Sequence, residues 1–355
     1  MFRCLLVGFV GVIALALVGI SSTAQDKKDP PKKKERIAIA DPEKVKTDPD
    51  FLIQGEYEGI FLTGSKKAGA QVVAKGEGKF DVKIYPGGLP GAGWDGKPEP
   101  IRGTATRSGA ESRADVILAG TKDETLGIIT SGTNGGMSFT LTHKNHSGGL
   151  SKVGRKSKTL GEKPPEGALV LFGGPGDEKN WDGGKIVEYS DGKFLNMGIK
   201  SKAKFGAFKA HVEFRLPWMP NSSGQGRGNS GVYLQDRYEL QVLDSFGLNG
   251  ENNECGGFYT LHKPSVNMCF PPLVWQTYDI EFTPAEFGSD GKKTKNARAT
   301  VYHNGVKIQD NVELKNSTGG GQPEAATPGP FQLQNHGDPL AYNNIWVVMG
   351  AEPRQ

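Results

Sequence analysis

The segment Arg237-Tyr238-Glu239-Leu240-Gln241-Val242-Leu243-Asp244 alternates polar and apolar side chains, a period typical of a half-buried β-strand. Its polar face carries Arg237, Glu239 and Gln241, and its apolar face carries Tyr238, Leu240 and Val242. Strict alternation would place Asp244 on the apolar face, where an unpaired charge is costly. We therefore expect a β-bulge near Val242-Leu243 that returns Asp244 to the side of Glu239.

The polar face of this strand can carry chemistry or can simply be solvated. Two carboxylates, a guanidinium and an amide that converge on a groove are able to move protons to and from a bound ligand. The same residues would also suit an edge strand with a solvated face, or a salt bridge between Arg237 and Glu239. The pattern alone does not separate these alternatives.

Further alternating segments extend this strand into a sheet protein. Every second residue of Phe208–Leu216 is apolar, and Tyr278–Phe282 repeats the pattern. Asn304-Gly305 between two apolar runs predicts a hairpin, because both residues of such a turn need positive φ. Antiparallel strands with one wet face pack as two sheets. The sequence therefore predicts an all-β, jelly-roll sandwich over residues 168–351.

Two aromatic residues beside these strands have open roles. His211 alternates with the polar residues of Phe208–Leu216, so it lies either in a groove or at a solvated position. Trp218 lies between two prolines, and of the tryptophans in the predicted sandwich it is the one that we expect to be most exposed.

Residues 51–163 precede the sandwich and have a character of their own. Short strand candidates alternate here with glycine-rich turns, which predicts a small β-rich N-terminal unit. The polar stretch Ser151–Glu166, with its Pro164-Pro165 pair, is the expected boundary. The unit either offers an accessory binding surface, with Trp94 as a platform for a sugar ring, or is a structural extension packed beside the main domain.

The N-terminus is typical of an exported protein. A basic start, an uncharged apolar run and a small-residue end form a signal peptide over residues 1–24, with a retained anchor as the alternative. Residues 25–50 are expected to be a disordered basic linker. Its lysines are not interleaved with aromatic residues, which argues against nucleic-acid binding. We expect a periplasmic or extracellular protein with no stable membrane insertion after signal removal.

Two cysteines remain once Cys4 leaves with the signal peptide. In an oxidising compartment, Cys255 and Cys269 are expected to form a disulfide that closes a short loop. A metal site suits them less, because no histidine or further cysteine stands at ligand spacing around the pair. The loop between them could border the groove, which makes Tyr259 and His262 candidates for substrate binding, with plain surface as the alternative.

Six motifs follow one another along the predicted sandwich. They are Phe205-Gly206-Ala207-Phe208, Glu213-Phe214-Arg215-Leu216, Asn229-Ser230-Gly231-Val232-Tyr233-Leu234, Tyr238-Glu239-Leu240-Gln241-Val242-Leu243-Asp244-Ser245, Asn304-Gly305-Val306 and Leu333-Gln334-Asn335-His336-Gly337. The ordered set resembles the 3-keto-disaccharide hydrolase domain family over residues 168–351. The resemblance implies a concanavalin A-like sandwich and a hydrolase that cleaves the glycosidic bond of 3-keto-disaccharides or other 3-keto-glycosides.

The chemistry of such a substrate suggests a mechanism. The ketone acidifies the C2 proton, so a base can remove it, the glycosidic oxygen at C1 leaves by β-elimination, and water adds back. The catalytic candidates are Glu239 or Asp244 as base and His336 as acid or enolate donor. The candidates for holding hydroxyls or the keto oxygen are Asn229, Arg237, Gln241 and Asn335. No ligand motif demands a cofactor, although a divalent metal could replace part of the donor set.

Two other functions fit the same strand. Glu239-x-Gln241-x-x-Asp244 resembles the Glu-x-Asp-x-x-Glu strand of laminarinase- and lichenase-type glucanases, whose retaining carboxyl pair stands ~5–5.5 Å apart. A non-catalytic carbohydrate-binding module is the third hypothesis, since one fold hosts many functions. In every case the partner is a small carbohydrate. The hydrolase hypothesis also implies a functional link to a sugar 3-oxidoreductase.

Overall fold

The structure, a computed structural model, describes residues 36–61, 66–107, 113–118, 127–131, 136–143 and 146–350. The predicted signal peptide and residues 25–35 of the predicted linker lie outside these ranges. Within them, no helix combines the length and the apolar character that a membrane span requires.

The N-terminal third of the described chain is a closed β-barrel. It begins with the 3-10 helix Pro42–Lys44 and helix α1 (Pro49–Ile53). Its strands are β1 (Gly55–Ile60), β2 (Lys67–Gly76), β3 (Lys79–Pro86), β4 (Leu89–Pro90), β5 (Gly93–Trp94), β6 (Ile101–Arg107), β7 (Ala114–Leu118), β8 (Gly127–Ser131), β9 (Met137–His143) and β10 (His146–Val153). Eight of them close in the order β1-β10-β9-β8-β7-β6-β3-β2, so that both edges of each strand are paired.

Two antiparallel sheets follow the barrel. Their strands are β11 (Leu169–Phe172), β12 (Trp181–Asp182), β13 (Ile186–Tyr189), β14 (Gly192–Leu195), β15 (Ile199–Phe205), β16 (Phe208–Arg215), β17 (Ser230–Leu234), β18 (Tyr238–Val242), β19 (Trp275–Thr283), β22 (Ala297–His303), β23 (Val306–Leu314), β24 (Gly329–Leu333) and β25 (Ala341–Met349). A separate ribbon pairs β20 (Glu286–Phe287) with β21 (Lys293–Lys295), and 3-10 helices span Asp177–Asn180 and Gly224–Gly226.

The pairing order defines a sandwich. The eight-stranded sheet runs β13-β14-β25-β16-β19-β22-β23, with β11 also paired to β25, and the five-stranded sheet runs β12-β15-β24-β17-β18. The apolar residues of β16, which include Val212 and Phe214, share one buried cluster with Leu240 and Val242 of β18. Removing these alternate side chains from water drives the two sheets together. The prediction of an all-β sandwich preceded by a β-rich unit is confirmed.

Residues 36–50 are ordered, so the prediction of a disordered linker is wrong for this part of it. The side chains of Asp41 and Asp48 accept hydrogen bonds from the first turns of the two helical segments that follow them. Ile39 exchanges backbone hydrogen bonds of 2.7 and 3.0 Å with Trp218. Residues 36–50 are ordered because they contact residues of the sandwich, such as Trp218. The charged composition of residues 36–50 does not indicate these contacts.

Trp218 is buried, so the expectation that it is the most exposed tryptophan of the sandwich is wrong. Its side chain is 0% exposed and belongs to the core cluster of the barrel. The indole Nε1 donates to Asp48 Oδ2 at 3.2 Å, and the ring meets Phe51 edge-on at 5.2 Å. A residue from the sandwich sequence thus completes the core of the barrel.

We predict that Trp218→Ala lowers the free energy of unfolding by about 3–5 kcal/mol, because it opens a cavity in a packed core. Urea denaturation followed by circular dichroism measures the change. Met349→Ala is the control, since that side chain is 59% exposed, and it should change the free energy by about 0.5 kcal/mol or less. A similar small change for Trp218→Ala would show that the indole contributes little to the core.

Candidate active site

Strands β17 and β18 form a hairpin whose turn is Leu234–Arg237. Its two central residues, Gln235 and Asp236, have left-handed φ angles of 56° and 60°. Such a turn matches the twist of paired strands but strains residues that carry a Cβ. Side-chain contacts hold it in place: Gln235 donates to the Phe205 carbonyl at 2.8 Å, and Lys200 pairs with Asp236 at 2.6 Å.

The hairpin register places four positions on the outer face of the five-stranded sheet. Glu239 lies opposite Tyr233, and Gln241 lies opposite Gly231. A Cβ added at Gly231 would lie 2.4 Å from Oε1 of Glu239. Because Gly231 has no side chain, the Glu239 carboxyl group can lie across the neighbouring strand.

Glu239 is buried and hydrogen bonded. Its side chain accepts from the Tyr233 hydroxyl at 2.9 Å, and the amide of Gln334 donates to the same hydroxyl at 3.0 Å. Burial raises the pKa of Glu239 to about 7, and the bond from Tyr233 opposes the rise. A carboxyl group with this pKa is available near neutral pH both as a base and as an acid.

Three amide side chains on this face have an oxygen that accepts no hydrogen bond from the described residues. The side-chain oxygens of Asn229, Gln241 and Gln334 are buried without a hydrogen-bond partner among the described residues. Buried acceptors are normally paired, so these oxygens are suited to bind the hydroxyl groups of a ligand. We call Asn229, Tyr233, Glu239, Gln241 and Gln334 the Glu239 cluster.

Gln225 reaches across part of this cluster from a neighbouring loop. The backbone carbonyl of Gln225 accepts a hydrogen bond from the side-chain amide of Asn229 at 2.8 Å, and its Oε1 accepts one from the side-chain amide of Gln241 at 3.2 Å. Sequence reasoning missed Gln225 as well as Tyr233 and Gln334. Tyr233 and Gln334 lie within quoted motifs, but their positions depend on hairpin register and on the pairing of distant strands, which local patterns do not set.

Asp244 lies outside the Glu239 cluster, and the predicted β-bulge is wrong. The register of β17 and β18 runs unshifted to the pair Ser230–Val242, where β18 ends. Oδ2 of Asp244 pairs with Nε of Arg227 at 2.5 Å, and Oδ1 accepts from the amide of Phe246 at 3.3 Å. Arg227 neutralises the carboxylate, so Asp244 remains buried without a bulge.

Arg237 belongs to the hairpin turn and holds a loop over the sheet. Its guanidinium donates to the carbonyls of Pro323 and Thr327 at 3.2 and 3.0 Å and to Oε1 of Gln235 at 2.8 Å. The hydroxyl of Thr318, in the same loop, accepts from the amide of Glu239 at 2.8 Å. These contacts connect residues 318–327 to β18. The guanidinium of Arg237, which we expected to bind substrate, is therefore hydrogen bonded within the protein.

The loop after β24 carries two predicted residues. Asn335 and His336 are exposed, and the Asn335 side chain accepts from the amide of Gly337 at 2.7 Å. Asp338 connects this loop to the Glu239 cluster, because its Oδ2 accepts from the backbone amide of Asn229 at 2.8 Å. The structure thus brings the loop next to the cluster, and the catalytic role of His336 stays a prediction.

Tyr259 and His262 lie on the loop that covers the outer edge of β18. The Tyr259 amide donates to the Glu239 carbonyl at 3.1 Å, which places this half-buried tyrosine beside the cluster. The ring of His262 contacts the Glu313 carbonyl through Nε2 at 2.7 Å. His262 therefore anchors the loop to β23.

Comparison with known proteins adds a family to this geometry. Residues 167–348 match the family model of the 3-keto-alpha-glucoside-1,2-lyase-like domain. The chain belongs to this family. The match confirms the resemblance inferred from the ordered motifs, contains the whole Glu239 cluster, and supports a glycosidase-like function. None of the curated proteins is significantly similar to the chain.

Two crystal structures of candidate glycosyl hydrolases from Parabacteroides distasonis ATCC 8503 are also similar. The first is 33% identical, covers 52% of this chain and 84% of that chain, and has a TM-score of 0.46. The second is 16% identical, covers 51% of this chain and 93% of that chain, and has a TM-score of 0.34.

The predicted disulfide within the lyase-like domain is wrong. Cys255 and Cys269 are free, buried thiols. The sulfur of Cys255 lies 3.1 Å from the Tyr278 hydroxyl, and that of Cys269 lies 3.5 Å from the Leu243 carbonyl. Burial raises the pKa of the Cys269 thiol well above its ordinary value. Both residues therefore act as small core side chains with weak polar contacts.

His211 lies on the outer face of the other sheet of the domain, within an ionic network. Its Nδ1 is 2.6 Å from Asp279 Oδ1, and its Nε2 is 3.2 Å from Glu213 Oε1. Trp346 stacks on the ring at 5.3 Å. Burial lowers the pKa of His211, but the hydrogen bonds to both carboxylates outweigh it and raise the pKa to about 9.

Glu162, His211 and Asp279 form the group of described residues that could hold a metal ion, with ligand atoms within 4.8 Å of one another. A histidine must be neutral to bind a metal. Both ring nitrogens of His211 face carboxylates, and these hydrogen bonds raise its pKa to about 9, which favours the protonated ring over a metal ligand. We therefore interpret the group as a structural ion-pair network.

We predict that this network makes stability depend on alkaline pH. The pKa of His211 rises from 6.5 when unfolded to about 9 when folded, so its contribution is complete below about pH 6.5 and is lost as pH rises through about 9. Urea denaturation between pH 6 and pH 10 measures the free energy of unfolding. His211→Gln should flatten the alkaline part of this profile. An unchanged profile would mean that His211 is not charged in the folded protein.

Proposed function

We propose that the protein cleaves the glycosidic bond of 3-keto-glycosides, with Glu239 as the general base. The observation that carries the proposal is the environment of Glu239: a pKa raised to about 7, beside three amide oxygens without partners among the described residues. A base of this strength suits the removal of a proton that a neighbouring ketone has already acidified. Membership of a lyase-like family supports the same chemistry.

The proposed reaction balances with groups of the Glu239 cluster. Glu239 takes the proton from C2, and the electron pair forms an enediolate with the C3 ketone. The C1–O bond then breaks, which leaves a 1,2-unsaturated 3-keto sugar, and Glu239 passes the proton from C2 to the departing oxygen. The Glu239 carboxylate then takes a proton from water as the hydroxide adds to C1, and it delivers that proton to C2. The free side-chain oxygens of Asn229, Gln241 and Gln334 accept hydrogen bonds from hydroxyl groups of the sugar through these steps.

The surroundings of Asp244 favour this route over direct displacement. A retaining glucanase needs a second free carboxyl group ~5–5.5 Å from the first. Both oxygens of Asp244 are engaged, by Arg227 and by the amide of Phe246. A non-catalytic binding module is the other alternative. Such a module does not require a buried carboxyl group whose pKa is shifted toward neutrality.

The proposed substrate must be produced by another enzyme. Ordinary glycosides carry a hydroxyl at C3, so a separate oxidoreductase must first oxidise that position to the ketone. The N-terminal segment predicts export, and we propose that both reactions take place outside the cytoplasm.

We predict that the protein cleaves the 3-keto form of a disaccharide and leaves the unoxidised form intact, with or without a chelator. Chromatography of the sugar products measures the cleavage. Glu239→Gln should lower the rate by about 10²–10⁴-fold, because it removes the base. Glu281→Gln, on the outer face of the other sheet, is the matched control and should retain activity. Cleavage of an unoxidised glucan would favour displacement, and full activity of Glu239→Gln would exclude the proposed base.

A second prediction concerns the hydrogen bond from Tyr233. The value of kcat/KM should rise with pH through about 7, as the pKa of Glu239 predicts for a base. Tyr233→Phe removes a hydrogen bond that lowers this pKa, so the rise should move to higher pH. Tyr302→Phe, on the other sheet, should leave the profile unchanged. A shift to lower pH for Tyr233→Phe would contradict the assigned proton position.

A further inference from the structure

A groove runs along the junction of barrel and sandwich. Two cavities of about 370 and about 540 Å³ lie there and share the lining residues Lys83, Arg102, Leu248 and Asn249. Lys83 and Arg102 come from barrel strands β3 and β6, and the other two come from the loop after β18. We call the two connected cavities the junction groove. Its larger cavity falls within the range of about 300–1,000 Å³ that is usual for small-molecule sites.

We propose that the junction groove binds a neutral saccharide chain. The larger cavity is lined by charges of both signs, three basic and three acidic, namely Lys83, Arg102, Lys263, Asp95, Glu99 and Glu251. Balanced charges select neither anions nor cations, but they offer many donors and acceptors. Sugar hydroxyl groups donate and accept hydrogen bonds equally well, so an uncharged saccharide fits this lining best.

Lys83 and Arg102 share one hydrogen-bond acceptor in the groove. The ammonium group of Lys83 donates to Oδ1 of Asn249 at 2.9 Å, and Arg102 donates to the same oxygen at 3.2 Å. Lys83 is only 9% exposed. Burial, and then the charge of Arg102, lower the pKa of Lys83 to about 8. Two cationic donors that converge on one neutral oxygen are well placed to bind further oxygens, such as those of a sugar.

Trp94 supplies the aromatic surface that sugar recognition uses. The indole is half-buried and lines the larger cavity. Its ring meets Tyr85 edge-on at 5.1 Å, and its Nε1 donates to the Pro98 carbonyl at 3.0 Å. Both contacts fix the orientation of the ring. A rigid aromatic face can cover the apolar CH patch of a pyranose without loss of side-chain entropy on binding.

The smaller cavity extends the groove toward the Glu239 cluster. Ser223, Gly224 and Glu254 line it. The same two loops are joined by Gln225, whose amide donates to the Asn253 carbonyl at 2.7 Å and whose Oε1 accepts from Gln241 of the cluster. If the proposed function holds, the groove suits the part of a longer saccharide that is not cleaved. Binding in the groove itself does not depend on that function.

Calorimetric titration of the full chain carrying Glu239→Gln tests the proposal without interference from cleavage. The probes are neutral tetrasaccharides of α-linked glucose, β-linked glucose, mannose and xylose, with a galacturonic acid tetramer and inorganic phosphate as charged probes. At least one neutral tetrasaccharide should bind. Trp94→Ala should weaken that binding about tenfold or more, since it removes the stacking surface.

Two further variants complete the experiment. Arg102→Ala, at an exposed barrel side chain, should also weaken binding and serves as an independent check if Trp94→Ala unfolds at lower temperature. Tyr302→Ala is the control, because this half-buried tyrosine lines a cavity on the outer face of the other sheet. The proposal is overturned if no neutral tetrasaccharide binds, if only the charged probes bind, or if Trp94→Ala and Arg102→Ala both bind as tightly as the parent. Cleavage of a 3-keto-disaccharide by the unmodified chain would be unaffected by any of these outcomes.

Discussion

The buried guanidinium of Arg227 connects the three parts of the molecule that determine the site. It pairs with Asp244 just beyond β18, donates to the Ala74 carbonyl of barrel strand β2 at 3.0 Å, and lies 3.5 Å from Oε1 of Gln54 after helix α1. A buried charge pair of this kind is stable only when its hydrogen bonds are all made. The end of β18, the loop that carries Gln225 and the wall of the barrel therefore form one arrangement around Arg227.

The Glu239 cluster depends on that arrangement through the backbone. The β17–β18 hairpin sets which side chains meet, and Gly231 leaves the space that the carboxyl group occupies. The loops that cover the hairpin exclude water from Glu239, which is the cause of its raised pKa. Acid–base capacity here is a property of packing around one carboxyl group, because its hydrogen bond to Tyr233 acts in the opposite direction.

Periodicity predicted the features that depend on burial. The apolar faces of β16 and β18 followed from alternation, and the family followed from the order of short motifs. Features that depend on partners distant in sequence were not predictable in this way. Gln235 and Asp236 adopt left-handed backbone without a glycine to indicate it, Asp244 is neutralised by Arg227, and Trp218 packs into a barrel whose closure pairs β1 with β10. The disulfide prediction rested on an assumed compartment, whereas the structure holds both cysteines as free thiols.

The position of Trp218 has a consequence for where the protein can be divided. The family match begins at residue 167, yet the indole of Trp218 packs against Phe51 and the guanidinium of Arg227 bonds to Ala74. A fragment trimmed to the homologous region would expose one large aromatic side chain and leave one buried cation short of acceptors. The family match and the packed unit thus have different boundaries, because the contacts of Trp218 and Arg227 extend the packed unit into the barrel.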